Sequence, residues 1–271
     1  MPELPEVETT RRGLEPLICN RRITGVVLRV PKLRWPLDPR LPELLVGQQI
    51  LAVCRRAKYL MIQLEQGCLL LHLGMSGSLR VVPFQTPAGK HDHVDIHFAD
   101  GQCLRFNDPR RFGLLSFFLG APGDHPLLTH LGPEPLATDF RGTFLFQRSR
   151  NRRLAVKPFI MDQRTVVGVG NIYASEALFR AGIRPDREAG RISAKRYEEL
   201  SRQIKEVLLA ALEAGGTTVA DFRQADGRPG YFKQQLQVYG RDGQPCPGCG
   251  RSIVKTSLGQ RSTFFCRHCQ R

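Results

Sequence analysis

Four cysteines near the C-terminus constrain this chain more than any other feature. They read Cys246-x2-Cys249, sixteen residues, then Cys266-x2-Cys269. Two close pairs, each on a tight turn, can surround one Zn2+ tetrahedrally. Pro247-Gly248 gives the first pair its turn chemistry. The alternative is two disulfides, which a cytosolic location disfavours. With cysteine at all four positions the metal shell closes, so the spacing predicts one structural Zn2+ per chain and no catalytic metal. His268, between two of the ligands, reads as a neighbour of the site or a solvent-facing residue. Cys19, Cys54, Cys68 and Cys103 are scattered in apolar or strand-like contexts and read as buried thiols.

The rest of the 271 residues divides by periodicity, and that length favours two domains. A helix is expected near residues 5–18, with Val7, Leu14, Leu17 and Ile18 on one face and Pro5 in its first turn. The period then drops to two, and strands are expected near 22–30, 49–54, 59–64, 68–73 and 78–82. Val94, Ile96 and Phe98 alternate with Asp95 and His97, and Asp100-Gly101 reads as a two-residue hairpin turn into Leu104 and Phe106. A Pro/Gly-rich passage near 120–136 reads as a linker. Beyond it, Asn171 is expected to cap a helix that Gly182 and Pro185 end. Ser193 is expected to cap a longer one lined by Tyr197, Leu200, Ile204, Val207, Leu208 and Leu212, stopped by Gly215-Gly216. The organisation expected is α+β: a β-rich domain over 1–130 with a leading helix, a helical domain over 131–216, and a loop and zinc hairpin over 217–271.

Charge narrows the partner. Lysine and arginine number 40 against 25 acids, a formal net charge of +15, which favours a polyanion. The excess is clustered. Residues 141–164 hold Arg141, Arg148, Arg150, Arg152, Arg153, Lys157 and Arg164 against Asp162 alone, and residues 217–271 hold nine cations against three acids. These two stretches read as two walls of a groove. No amphipathic helix with an aromatic face accompanies them, so a membrane surface is not the expected partner. The acids Glu3, Glu6 and Glu8 also exclude a secretory signal, and a cytoplasmic location is expected.

The chain opens Met1-Pro2-Glu3. Proline is small enough for the initiator methionine to be trimmed, leaving Pro2 as a free secondary amine. An α-amine has a pKa near 8, so a useful fraction is unprotonated at neutral pH. Such an amine can attack a sugar's anomeric carbon and form an iminium. Glu3 beside it can exchange a proton. The plainer reading is a chain start with helix-favouring acids.

The segment Pro2-Glu3-Leu4-Pro5-Glu6-Val7-Glu8 resembles the start of mature bacterial formamidopyrimidine-DNA glycosylases. Six further segments are similar to that family, in its order: Ala57–Leu60, His72–Gly77, Lys90–Val94, Asn107–Gly113, Val167–Glu176 and Asp226–Phe232. Gln260–Cys266 completes the series. The resemblance implies an N-terminal β-sandwich with a leading helix, a helix-two-turns-helix domain and a zinc β-hairpin. It implies double-stranded DNA with a damaged base as substrate, no small-molecule cofactor, and a monomer.

By the same resemblance Pro2 is the nucleophile, Glu3 the acid that opens the sugar, Lys58 a proton donor around β-elimination, and Arg261 the residue of the δ-elimination step. An arginine stays protonated near neutral pH, so charge stabilisation is the physically sounder role for Arg261. Met75, Arg110 and Phe112 match the family's residues that fill the hole left by the extruded base. His91, Arg152 and Arg153 match positions near the DNA backbone. Asn171, after Gly168-x-Gly170, matches a phosphate seat at a helix start. Thr217–Asp226 matches the lesion-capping loop. The opening Glu-Leu-Pro-Glu differs from the Glu-Gly-Pro-Glu usual in the sister endonuclease VIII branch, which favours oxidised purines such as 8-oxoguanine. An enzyme for oxidised pyrimidines and a non-catalytic zinc-ribbon DNA binder remain the alternatives.

Overall fold

The computed structural model describes residues 2–215 and 235–271. They form two compact units, the first built on residues 2–129 and the second on His130–Glu213 with residues 235–271. No helix among the described residues is long and apolar enough to cross a membrane.

In the first unit, α1 (Leu4–Ile18), β1 (Ile23–Leu28) and α2 (Leu41–Leu45) are followed by β2 (Ile50–Arg56), β3 (Tyr59–Leu64), β4 (Cys68–His72) and β5 (Ser78–Pro83). Then come β6 (Asp92–Phe98), β7 (Gln102–Asn107), β8 (Leu114–Phe118) and the short α3 (Pro126–Thr129). Two antiparallel four-stranded sheets result, in the orders β1-β6-β7-β5 and β2-β3-β4-β8. Period-two alternation is the cause: Val94, Ile96, Leu104 and Phe106 of one sheet meet Leu60, Ile62, Leu69 and Leu71 of the other in one buried core. Val7, Leu14 and Ile18 of α1 join that core. Leu17, placed on the same face by periodicity, is instead 37% exposed, because it falls at the edge of the apolar stripe.

The expected two-residue turn at Asp100-Gly101 is a three-residue loop. His97 pairs with Cys103 across β6 and β7, which leaves Ala99, Asp100 and Gly101 in the bend. Gly101 takes the left-handed φ of 82° that such a loop demands.

In the second unit α4 (Gly142–Ser149), α5 (Val156–Met161), α6 (Asn171–Arg180) and α7 (Ala194–Glu213) precede the hairpin β9 (Val254–Leu258) and β10 (Arg261–Phe265). The apolar stripe of α7 from Tyr197 to Leu212 is buried as its spacing predicts. Ser193 stands at its start, its Oγ accepting the Arg196 N–H at 3.4 Å. Asn171 is not the cap of α6: Gly170 holds that place and Asn171 is the first helical residue. The expected lesion-capping segment Thr217–Asp226 lies outside the described residues.

Candidate nucleic-acid interface and active site

Two backbone facts hold the N-terminal residues in place. Pro5 sets the first turn of α1, and Glu3 and Glu6 form a capping box in which the Glu3 N–H donates to the Glu6 carboxylate at 2.8 Å. Pro2 is buried, and Glu3 and Glu6 are each 3% exposed. The start of this helix is therefore packed and hydrogen-bonded, not frayed.

Lys58, which could pass for a surface lysine in the sequence, is buried in the β2–β3 turn. Tyr59, next to it, pairs with His72 on β4, the rings 5.0 Å apart. Burial, then the charges of Lys58 and Arg34, push His72 down to about 4. Its Nδ1 accepts the Gly74 N–H at 2.9 Å, as only an unprotonated nitrogen can. His72 is thus a neutral imidazole within the field of Lys58.

Met75, Arg110 and Phe112 lie on two loops far apart in sequence that lock together. Asp108, fully buried, accepts the Gly113 N–H at 2.7 Å, the Ser76 hydroxyl at 3.3 Å and the Arg110 N–H at 3.3 Å. Gly74 sits at φ 63°, where an added Cβ would stand 2.5 Å from the backbone between Phe112 and Gly113. Only glycine permits that approach. The loops present Phe112 to solvent, 46% exposed, with the Arg110 guanidinium 5.2 Å from its ring centre. An exposed phenylalanine beside a cation has the chemistry of a wedge for a base step. His91, half-buried, accepts the Asp108 N–H on its carbonyl at 2.9 Å and so belongs to the same assembly.

In the second unit the four cysteine thiols lie within 4.8 Å of one another. Cys246 Sγ is 3.8 Å from Cys269 Sγ, and Cys249 Sγ is 3.5 Å from Cys266 Sγ. Zn–S bonds of about 2.3 Å in a tetrahedron require sulfurs about 3.8 Å apart, so the residues fit the ion. The chemistry agrees. Four thiolates at this spacing repel one another and are tolerable only around a cation.

The zinc hairpin is strapped to the helices. Lys157 is 1% exposed and donates from Nζ to the Ser262 carbonyl at 3.1 Å and the Thr263 hydroxyl at 2.8 Å. Asn171 donates from Nδ2 to the Ser262 carbonyl at 3.0 Å, and its Oδ1 is buried without a partner among the described residues. The strand that starts with exposed Arg261 is thereby held against the start of α6.

The basic stretch of 141–164 is less uniform than its sequence implies. Lys157 is a buried strap, Arg150 stacks on Phe146 and donates to backbone, and Arg164 pairs with Asp162. Among the described residues Arg141, Arg148, Arg152 and Arg153 are exposed and form no ion pair with an acid. Both basic stretches, read as two walls, belong in their described parts to this one unit.

Known proteins complete the picture. Residues 1–115 match the formamidopyrimidine-DNA glycosylase N-terminal domain, 131–223 the H2TH domain of the same enzymes, and 243–271 a zinc finger found in FPG and IleRS. A formamidopyrimidine-DNA glycosylase of Syntrophotalea carbinolica is 60% identical over 271 residues, covering all of both chains. The chain belongs to the formamidopyrimidine-DNA glycosylase family. Among solved members of the family, the MutM (FPG) protein of Thermus thermophilus is 42% identical with a TM-score of 0.88, over 99% of this chain and 98% of that one. The Lactococcus lactis enzyme in complex with a Fapy-dG-containing DNA is 33% identical with a TM-score of 0.91, over 99% and 100%. The α+β architecture and the single structural zinc are those of the family.

Sequence reasoning passed over three residues that hold this family member's site. Asp108 lies inside Asn107–Gly113, where the sequence alone points to no role for it. Glu176, fully buried on α6, accepts the N–H groups of Gln237, Val238 and Tyr239 at 2.8–3.0 Å. Lys157 reads in the sequence as one more cation of the basic stretch. For Lys157 and Glu176 the signal was present: a lone charge inside an apolar run, as in Val156-Lys157-Pro158-Phe159-Ile160, is a charge that burial must satisfy, whereas Asp108 stands among Asn107, Arg110 and Arg111 and gives no such signal.

Proposed function

We propose that the chain is a bifunctional DNA glycosylase and strand-nicking lyase that removes oxidised purines, 8-oxoguanine and formamidopyrimidines, from double-stranded DNA. The observation that carries this reading is the burial of Pro2 and Glu3 at a capped helix start, in a chain aligned end to end with formamidopyrimidine-DNA glycosylases.

The chemistry follows from the groups. Once the initiator methionine is removed, the Pro2 nitrogen forms a bond to the anomeric carbon. The damaged base departs as the glycosidic bond breaks. Glu3 supplies a proton to the sugar's ring oxygen as the ring opens, leaving an iminium on Pro2. Loss of a proton from the adjacent carbon expels the 3′ phosphate. A second elimination expels the 5′ phosphate, where Arg261 stabilises negative charge. Lys58 serves as proton donor around the first elimination. Met75, Arg110 and Phe112 occupy the space of the extruded nucleotide, with Arg110 facing the orphaned base. His91, Arg152, Arg153 and Asn171 take backbone phosphates. Cys246, Cys249, Cys266 and Cys269 hold the zinc, which supplies hairpin stability and no step of the reaction. The enzyme acts as a monomer, in the cytoplasm and on the nucleoid.

The test is borohydride added during turnover on a lesion duplex. It is expected to trap a protein–DNA adduct that peptide mapping assigns to Pro2. An adduct on a lysine instead, or none at all, overturns the mechanism.

A further inference from the structure

Glu8 lies one turn into the helix that carries Pro2 and Glu3, and three guanidinium groups converge on it: Arg11 at 3.1 Å, Arg12 at 2.9 Å and Arg55 at 3.1 Å. Arg11 and Arg12 are partners from the same helix, of a kind that contributes a few tenths of a kcal/mol. Arg55 is different. It comes from β2, and both it and the carboxylate are largely buried, 12% and 13% exposed. Its guanidinium is also shared. Nε faces Glu8 while Nη1 donates to the carbonyl of Ala57 at 2.9 Å.

Ala57 is fully buried and left-handed, at φ 54°. For an alanine that conformation costs roughly 1 kcal/mol and persists only where its surroundings hold it. Arg56 pairs with Tyr59, so the turn between β2 and β3 consists of Ala57 and Lys58 alone. The clamped carbonyl is that of the residue immediately before Lys58.

We propose that Glu8 and Arg55 are positioning residues for Lys58, a strut that ties its turn to the helix bearing Pro2. The proposal rests on the proton-donor reading of Lys58 above. Arginine is required because its fork reaches a carboxylate and a carbonyl at once, which a lysine ammonium on a flexible stem does not. A displacement of about 1 Å in a reacting group can cost on the order of 100-fold in rate, so a turn with one strained residue is worth clamping.

The experiment measures single-turnover excision and nicking by the full-length, zinc-loaded protein on a duplex with one 8-oxoguanine. Glu8→Gln and Arg55→Lys are each expected to slow the reaction about tenfold, with unchanged duplex affinity and a melting temperature within about 2 °C of the parent. Arg12→Gln, which removes an exposed partner of the same carboxylate, is expected to leave the rate alone. In a Lys58→Met background Glu8→Gln is expected to add nothing, because it acts through the lysine. A Glu8→Gln effect of full size in that background overturns the proposal, as do parental rates in both Glu8→Gln and Arg55→Lys. If Lys58→Met itself keeps the parental rate, the role of Lys58 falls and the strut with it, while trapping at Pro2 still reports separately on the nucleophile.

Discussion

The two units hold their functional residues by different physical means. The first has a large core: more than twenty buried apolar side chains from two sheets and α1 form one cluster. A core of that size can bury Glu3, Lys58 and Asp108 beside it, with local hydrogen bonds to Glu3 and Asp108. The zinc hairpin of the second unit has a cluster of five buried residues, Val238, Cys246, Ile253, Phe264 and Cys266, two of which are metal ligands. An apolar nucleus so small does not hold a hairpin by itself. Metal and straps do the work there: four thiolates around zinc, Lys157 on Ser262 and Thr263, and Glu176 on three backbone N–H groups. The start of α1 and the β2–β3 turn thus sit beside a core that is rigid without help, whereas the rigidity of the hairpin depends on a bound ion.

The largest effect expected tests where the chemistry resides. A tag or retained residue before Pro2 converts its amine to an amide, which has no nucleophilic lone pair. Excision and nicking should fall together by three orders of magnitude or more, on the order of what loss of a nucleophile costs other enzymes, while duplex binding stays within a few-fold. Gel assays of cleavage and binding on the same preparation check this. Normal cleavage from the blocked protein would remove Pro2's claim to the reaction and leave Lys58 as the amine to test.

Next in size is the metal. Cys249→Ser, or chelation, is expected to lower duplex affinity roughly 100-fold by loosening the strand that carries Arg261, since a structural zinc site's binding energy is largely folding energy. Hydrogen exchange should show faster opening in β9 and β10 and parental protection in β3, β4 and β6. Equal loss of protection in both units would erase the contrast drawn here. Metal analysis should give one zinc per chain.

Acid sharpens the contrast from the other side. His72 is held neutral, pushed down to about 4 by burial and then by Lys58 and Arg34, and burial also lowers His125. Both are in the first unit, whereas His130 and His268 of the second are exposed. For a histidine whose folded pKa lies below the unfolded value of about 6.5, stability is complete above that pH and is lost as pH falls towards 4, because only the unfolded chain takes up the proton. The loss through His72 is at most about 3 kcal/mol. Protection in β3 and β4 should decline over that window, and His72→Asn should flatten the decline.

Much of this was legible in the sequence, for identifiable reasons. Period-two alternation gave the strands, and the three-and-four spacing from Tyr197 to Leu212 gave the α7 stripe, because one face of each element meets a core. The cysteine spacing gave the zinc because the ligands are local. Asn171 misled because an amide before a helical run resembles a cap; the structure uses Gly170 there and turns the Asn171 side chain to Ser262, 91 residues away. The short α4 and α5 escaped notice because eight and six residues are too few to show a period. The meeting of the Met75 loop with the Arg110–Phe112 loop through Asp108 could be reached only by resemblance, since it joins residues 32 positions apart, as between Ser76 and Asp108.

The smallest expected effects separate binding from discrimination, and they do so across the two units. Arg152 is exposed, and no acid among the described residues pairs with it, so a phosphate contact is its simplest use. Arg152→Ala should weaken damaged and undamaged duplex alike, by a few-fold, and reduce the slope of log affinity against log salt by about one. Arg110 stands beside exposed Phe112 on a loop that Asp108 holds through its own backbone. Its side chain can therefore be removed without releasing the loop. Arg110→Ala should leave undamaged binding nearly unchanged and lower the preference for lesion duplex by about tenfold, the range of 1–3 kcal/mol that a good contact to a base edge provides. Its salt slope should shift less than that of Arg152→Ala. Titrations of both variants at three salt concentrations, on matched duplexes with and without the lesion, decide the matter. If the two variants lose the same factor on both duplexes with the same change in slope, Arg110 is one more phosphate contact, and lesion discrimination does not reside in the loops that Asp108 joins.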